Sequence, residues 1–225
     1  MSTSDREHVG PSGSTYPAET RSGSAPVHRA ARSVLTDLIE VQDSVLVVID
    51  VQDRFLTKVE PAIAEAVVER IRWLVQVADW FEVPVVVTAE DLPKLGPTTE
   101  RIRSVLPAAA PDLNKVVFGL AEQSDILQAI ESSGRRTAIL VGLETDVCVQ
   151  HSALGLARRG YNVAVVVDAT ASPGSGYQMG LDRMRAAGVA MVSCKSIFFE
   201  WSRTVEAIYE FADTSGIQLP NGLAL

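Results

Sequence analysis

The chain of 225 residues is 47% hydrophobic and 21% charged, an ordinary balance for a globular protein and enough for one α/β domain with a full core. Its net charge of −8 offers no basic surface to neutralise phosphates, so no nucleic acid and no membrane surface is expected as a partner. No apolar run approaches the about 20 residues of a membrane span, no signal-peptide core opens the chain, and two cysteines make no disulfide framework; a cytoplasmic, reducing setting is expected.

Residues 1–33 are rich in Ser, Gly, Pro, Thr and charge, and are expected to form a flexible tail before a folded domain over 34–225. The run SVLVVID, 44–50, is continuously apolar and closes on a carboxylate, the pattern of a strand buried on both faces. Over 61–81, Ile63, Val67, Ile71, Leu74, Ala78 and Phe81 recur at helical spacing, with Pro61 in the first turn. VPVVVT, 83–88, reads as a second strand; KLGPTT, 94–99, as a loop; 113–118, which holds Lys115, as a short extended piece. A helix is expected over 124–132, stopped by Gly134, then a strand over 137–141. The next helix runs from Asp146 or Val147 to Arg159, closed by Gly160. A strand over 161–168, a helix over 177–187, a strand over 189–193 and a largely helical 197–212 complete the chain.

This alternation predicts a parallel sheet with helices on both faces. Function in such sheets gathers at the carboxyl ends of the strands. Asp50 ends the first strand, Thr88, Ala89 and Glu90 the second, a Gly-Leu-Glu-Thr-Asp turn a central one, and Asp168 the next. Cys148 follows that central turn, in the expected first turn of a helix, where free N–H groups and the dipole favour a thiolate. Asp50 can manage protons there if its strand is a neighbour, and Lys115 can reach the same rim. Taken singly, each has a plainer reading: a packed cysteine, a turn-capping aspartate, a solvated lysine.

The stretches VLVVIDVQDRF, NKVVFG and GLETDVCVQHSAL together resemble the isochorismatase-like cysteine hydrolase superfamily, with the likeness covering about residues 44–213. The resemblance implies a three-layer αβα sandwich on a six-stranded parallel sheet. It implies a triad of Asp50 as acid, Lys115 as cation and Cys148 as nucleophile, acting on a small-molecule substrate. It also implies a cis peptide before Glu144, with the backbone N–H groups of Glu144 and Cys148 as an oxyanion hole, and a homo-oligomer, dimer or larger. No cofactor is implied. The loop TAEDLPKLGPT is similar to a metal-free branch, and the histidine ligands of the metal-binding branch are missing: His8 and His28 lie in the tail, and His151 follows the cysteine.

Gln52 and Phe55, just past Asp50, are candidates for substrate contact, with a strand-edge or loop hydrogen bond the equal alternative for Gln52. His151, three residues after Cys148, shares its helix face, and a packing role is favoured over a dyad. Cys194 reads as a packing residue, Asp168 as a cap, and Trp73, Trp80 and Trp201 as core or subunit contacts. The leading expectation is hydrolysis of an amide, imide or carbamoyl C–N bond. The alternatives are an isochorismatase-type vinyl-ether hydrolase with Asp50 as acid, and a non-catalytic association or redox-sensing protein.

Overall fold

The computed structural model describes residues 37–108 and 110–225. The tail expected over 1–33, with His8 and His28, lies outside the described residues. Six strands form one parallel sheet: β1 (Ser44–Ile49), β2 (Val85–Glu90), β3 (Asp112–Lys115), β4 (Thr137–Leu143), β5 (Asn162–Ala171) and β6 (Ala190–Val192), in the order β3-β2-β1-β4-β5-β6. The helices are α1 (Asp53–Leu56), α2 (Pro61–Trp80), α3 (Leu92–Leu95), α4 (Glu100–Arg103), α5 (Ser124–Ser132), α6 (Gln150–Arg158), α7 (Gly176–Ala186), α8 (Cys194–Ser202) and α9 (Val205–Thr214).

The apolar runs explain the layering. Every residue of β1 is buried, and alternate side chains point to opposite faces. Leu46 and Val48 join a core with Trp73 and Leu74 of α2 and Phe198 and Trp201 of α8. Val45, Val47 and Ile49 join a second core with Ile126 and Ile130 of α5, Val149 and Leu156 on the α6 side, and Met184 of α7. The result is the expected three-layer αβα sandwich. Among the described residues no helix is long and apolar enough to cross a membrane.

The chain runs outward from β1 to β2 and β3, then returns to place β4 on the other side of β1. This reversal leaves a crevice between the carboxyl ends of β1 and β4, the position where open parallel sheets bind ligands.

Several boundaries differ from the sequence pattern. The expected KLGPTT loop begins inside α3, which ends at Leu95, and α4 follows it, while Thr98 forms an isolated antiparallel bridge with Gln52. Asp168 does not end a strand; β5 continues to Ala171 because Thr170 and Ala171 pair with Gly142 and Leu143. Its side chain caps α8, accepting the Cys194 N–H at 2.8 Å. The helical stretch expected over 197–212 is two helices. Arg203 breaks it at φ 64°, and Thr204 starts α9 by accepting the Ala207 N–H. Cys194 is buried in the first core, as a packing residue.

Candidate active site

Four strand ends around the crevice supply the site. Asp50, with φ 51°, follows β1 and is fully buried. The register pairs Ile49 with Thr88 and Glu90 with Lys115, so β2 and β3 bring their ends level with Asp50. Thr88 and Glu90 are two apart, hence on the same face of β2. The Thr88 hydroxyl donates to Asp50 Oδ1 at 2.9 Å. Lys115 is fully buried, with Nζ 2.9 Å from Asp50 Oδ2 and 3.5 Å from Cys148 Sγ; it also donates to the Val117 carbonyl at 2.7 Å. Asp50, Lys115 and Cys148 are therefore brought together.

Cys148 does not lie in the first turn of an α-helix. Residues Thr145–Val149 form a π-helical turn that leads into α6, a distortion often found at functional sites. The N–H groups of Val147 and Val149, on either side of Cys148, both donate to the Glu144 carbonyl at 3.1 Å. The turn is pinned from β5 and α7. Thr145 and Thr170 share a hydroxyl hydrogen bond of 2.8 Å, and Ser172 donates to Asp146 Oδ1 at 2.6 Å. A Cβ on Gly180 of α7 would lie 2.8 Å from the Asp146 Cα, so α7 packs directly on this backbone. The Leu143–Glu144 peptide bond is cis, and the Glu144 carboxylate holds Lys58 at 2.7 Å.

A fourth group completes the cluster. Glu90, its side chain 24% exposed, lies 3.6 Å from Lys115 Nζ and accepts from the Cys148 thiol at 3.4 Å. The sequence reading left Glu90 without a catalytic role. Its signal was the alternation Val86, Thr88, Glu90 along the face that also receives the cysteine. One oxygen each of Asp50 and Glu90 and the Cys148 sulfur lie within 4.8 Å of one another, a set able to hold a metal ion. The Lys115 ammonium touches all three, supplying the positive charge such a set attracts.

The electrostatics overturn one expectation, that Cys148 is held as a low-pKa thiolate. Burial, then the charge of Asp50, push its thiol well above the ordinary cysteine range, and Lys115 offsets only part of this. Burial also raises Asp50, against the pull of Lys115. For Lys115 burial is outweighed by Asp50, Cys148 and Glu90, and the ammonium is held above the usual lysine range. The thiol so raised stands against Glu90 Oε2 and the Lys115 ammonium, which is itself paired with Asp50.

Gln52 and Phe55, the two substrate-contact candidates, are occupied by the protein itself. Gln52 is fully buried; its Nε2 donates to the carbonyls of Glu90 and Gly96 at 2.9 and 2.6 Å, and its Oε1 accepts the Glu90 N–H at 2.8 Å. It is a loop clamp. Phe55 is packed into the first core, with Lys58 Nζ 4.5 Å above its ring. His151 is exposed and meets the Phe118 ring edge-on at 5.9 Å, while the thiol's partners are Lys115 and Glu90. A cavity of about 660 Å³ lies at the amino end of β2, lined by Val83, Val85 and Pro111 among others, away from this chemistry.

Comparison with known proteins agrees with this geometry. A family model described as the isochorismatase domain matches residues 44–196. The secreted isochorismatase effector Isc1 of Phytophthora sojae (strain P6497) is 36% identical over 166 residues, which span 70% of this chain and 76% of that protein. YcaC from Pseudomonas aeruginosa, solved with hexane-2,5-diol and covalent acrylamide, superposes with a TM-score of 0.70 at 23% identity, over 77% of this chain and 87% of its own. The YcaC gene product of Escherichia coli, described as an octameric hydrolase of unknown specificity, gives 0.72 at 22% identity, over 79% and 88%. At these identities the two structures speak for the fold.

Proposed function

The chain belongs to the isochorismatase family of hydrolases, and we propose that within it the protein cleaves a small-molecule C–N bond, in an amide, imide or carbamoyl group, through a thioester on Cys148. The observation that carries this is the buried contact of Cys148 Sγ with Lys115, which is itself paired with Asp50 at 2.9 Å. A thiol held protonated needs a base only at the moment of attack, and carboxylates stand beside it. As Sγ bonds to the carbonyl carbon, its proton passes to a carboxylate. The negative charge that develops on the carbonyl oxygen is held by the backbone N–H groups of Glu144 and Cys148, each such donor contributing about 3 kcal/mol. The carboxylate gives that proton to the nitrogen as the C–N bond breaks; water then adds to the thioester carbon, passing a proton to the same carboxylate, and the sulfur recovers it as the C–S bond breaks. Lys115 keeps a positive charge against the sulfur throughout.

The site's own charge favours this reading over vinyl-ether hydrolysis of a dicarboxylate. Asp50 and Glu90 outnumber Lys115, while Lys94 is paired with Asp91 and Lys58 with Glu144. A redox sensor needs an accessible low-pKa thiolate. Cys148 is 3% exposed and raised in pKa.

The same reading includes a homo-oligomer. Val116 and Phe118, directly after Lys115, are 68% and 52% exposed, and the Escherichia coli YcaC product is an octamer. A monomer in sedimentation equilibrium would contradict it. The catalytic reading is tested by amine release from a panel of small amides, imides and carbamoyl compounds, with activity expected to vanish in Cys148→Ala. Activity retained in that variant refutes it.

A further inference from the structure

Three of the four groups in the site are sealed and one is open. Asp50 and Lys115 are fully buried and Cys148 nearly so, while the Glu90 side chain reaches solvent. Glu90 Oε2 lies 3.4 Å from Cys148 Sγ and 3.6 Å from Lys115 Nζ. Gln52 grips its main chain twice, accepting the Glu90 N–H at 2.8 Å and donating to the Glu90 carbonyl at 2.9 Å. A carboxylate is therefore fixed on the open side of the nucleophile, within reach of whatever is bonded to the carbon under attack. We propose that Glu90 determines specificity by accepting an N–H from the substituent that stays on that carbon. The substrate is then a carbamoyl compound of the urea type, with one nitrogen departing and the other held by Glu90.

This rests on the hydrolase reading above and narrows its substrate class. The carbon under attack carries three groups, and the site has three receivers. The oxygen goes to the backbone N–H groups of Glu144 and Cys148. The departing nitrogen must meet the acid that returns the thiol proton, Asp50, which has an oxygen within 4.8 Å of the sulfur. The retained group is left to Glu90. An alkyl group there would desolvate the carboxylate and return nothing, whereas an N–H replaces the water it displaces. Hydrogen bonds to a carboxylate are of the stronger kind. A carboxylate on the substrate would meet like charge, since Asp50 and Glu90 outnumber Lys115.

The steps balance. The Cys148 proton moves to Asp50 as Sγ bonds to the carbon and the carbonyl π pair moves onto oxygen. That pair returns, the bond to the departing nitrogen breaks, and this nitrogen takes the proton from Asp50. A carbamoyl group remains on Cys148, its amino group still donating to Glu90. Water adds to the carbon and gives a proton to Asp50; the C–S bond breaks and the sulfur recovers that proton. The product is carbamic acid, which falls to ammonia and carbon dioxide.

The test uses the full chain with p-nitrophenyl carbamate and p-nitrophenyl acetate. These share a leaving group and differ by an amino group in place of a methyl group of similar size. Acylation of Cys148 by each is timed by mass spectrometry and divided by the rate for N-acetylcysteine, which removes their intrinsic reactivities. The unaltered chain should favour the carbamate by about tenfold or more. Glu90→Leu should bring the two donors within about twofold of each other, and Glu90→Gln, whose amide oxygen still accepts, should keep part of the preference. The N,N-dimethyl carbamate, which has no N–H, should lose the preference on the unaltered chain, a comparison that needs no variant to fold. Because each preference compares two donors on one protein, a partly unfolded sample does not move it. A preference that is absent or reversed in the unaltered chain, or that survives whole in Glu90→Leu, overturns the inference and leaves the hydrolase reading standing. Acylation of Cys148 by neither donor overturns the hydrolase reading, and the inference with it.

Discussion

Cys148 shows how a residue's neighbours decide its chemistry. Position after a central strand marks it as a candidate, and position alone favours a thiolate. The folded site reverses that, because burial and the adjacent Asp50 charge outweigh Lys115. The sign of each substitution follows. Removing the negative charge in Asp50→Asn lowers the thiol's pKa, so iodoacetamide alkylation should set in at lower pH than in the unaltered chain. A shift in the opposite direction would show that Asp50 does not act on the sulfur. Stability carries the same sign. The folded thiol titrates above its unfolded value of about 8.5, so its contribution is complete below that pH and is lost as pH rises toward the folded value. Asp50 and Cys148 were legible because each follows an apolar strand, while Lys115, the last residue of the short polar β3, was marked by the resemblance of NKVVFG. Glu90 was not. A glutamate after Thr88 and Ala89 looks like any strand-end acid until the β2–β3 register sets it opposite Lys115. The clamp made by Gln52 was equally hidden, since its partners are backbone atoms of a loop about 40 residues away in sequence.

Among the elements, β4 has the tightest demands. Gly142 sits at φ 121°, and a Cβ there would run into the Ile49 carbonyl and lie 2.8 Å from the Ile49 nitrogen. The register also slips between Leu140 and Gly142 along β5. Only glycine accepts both that backbone conformation and the close approach of β1. Gly142→Ala is therefore expected to destabilise the fold by about 3 kcal/mol or more, read as a lower urea midpoint. A change below about 0.5 kcal/mol would mean that β1 and β4 can separate freely at the crevice. The strands themselves were easily read, because runs such as SVLVVI and AILV are buried on both faces and need no alternation. Helix starts were harder. The π-helical turn at Thr145–Val149 has the composition of an ordinary first turn, and its contacts with Thr170, Ser172 and Gly180 are what shape it.

At the scale of the molecule, one topological fact places the site. The reversal between β1 and β4 opens a crevice, and the side chains facing it come from four different strand ends. Each acts on atoms that are distant in sequence, so the cluster exists only when the whole sheet is assembled. The opposite face is an aromatic layer, with Phe198 in contact with Trp73, Phe81, Phe199 and Phe211. That layer backs the sheet and contributes nothing to the chemistry. Fold class was legible from the repeated strand-helix pattern. Which strands are neighbours was not, because order in the sheet is set by packing of the connecting helices and not by any one residue.

The most direct measurement is rapid-quench mass spectrometry of the full chain with an acyl donor that it turns over. A single acyl group should appear within the first turnover, map to the peptide containing Cys148, and decay at the steady-state rate. Turnover with no adduct on Cys148, or undiminished turnover in Cys148→Ala, would contradict covalent catalysis by this cysteine.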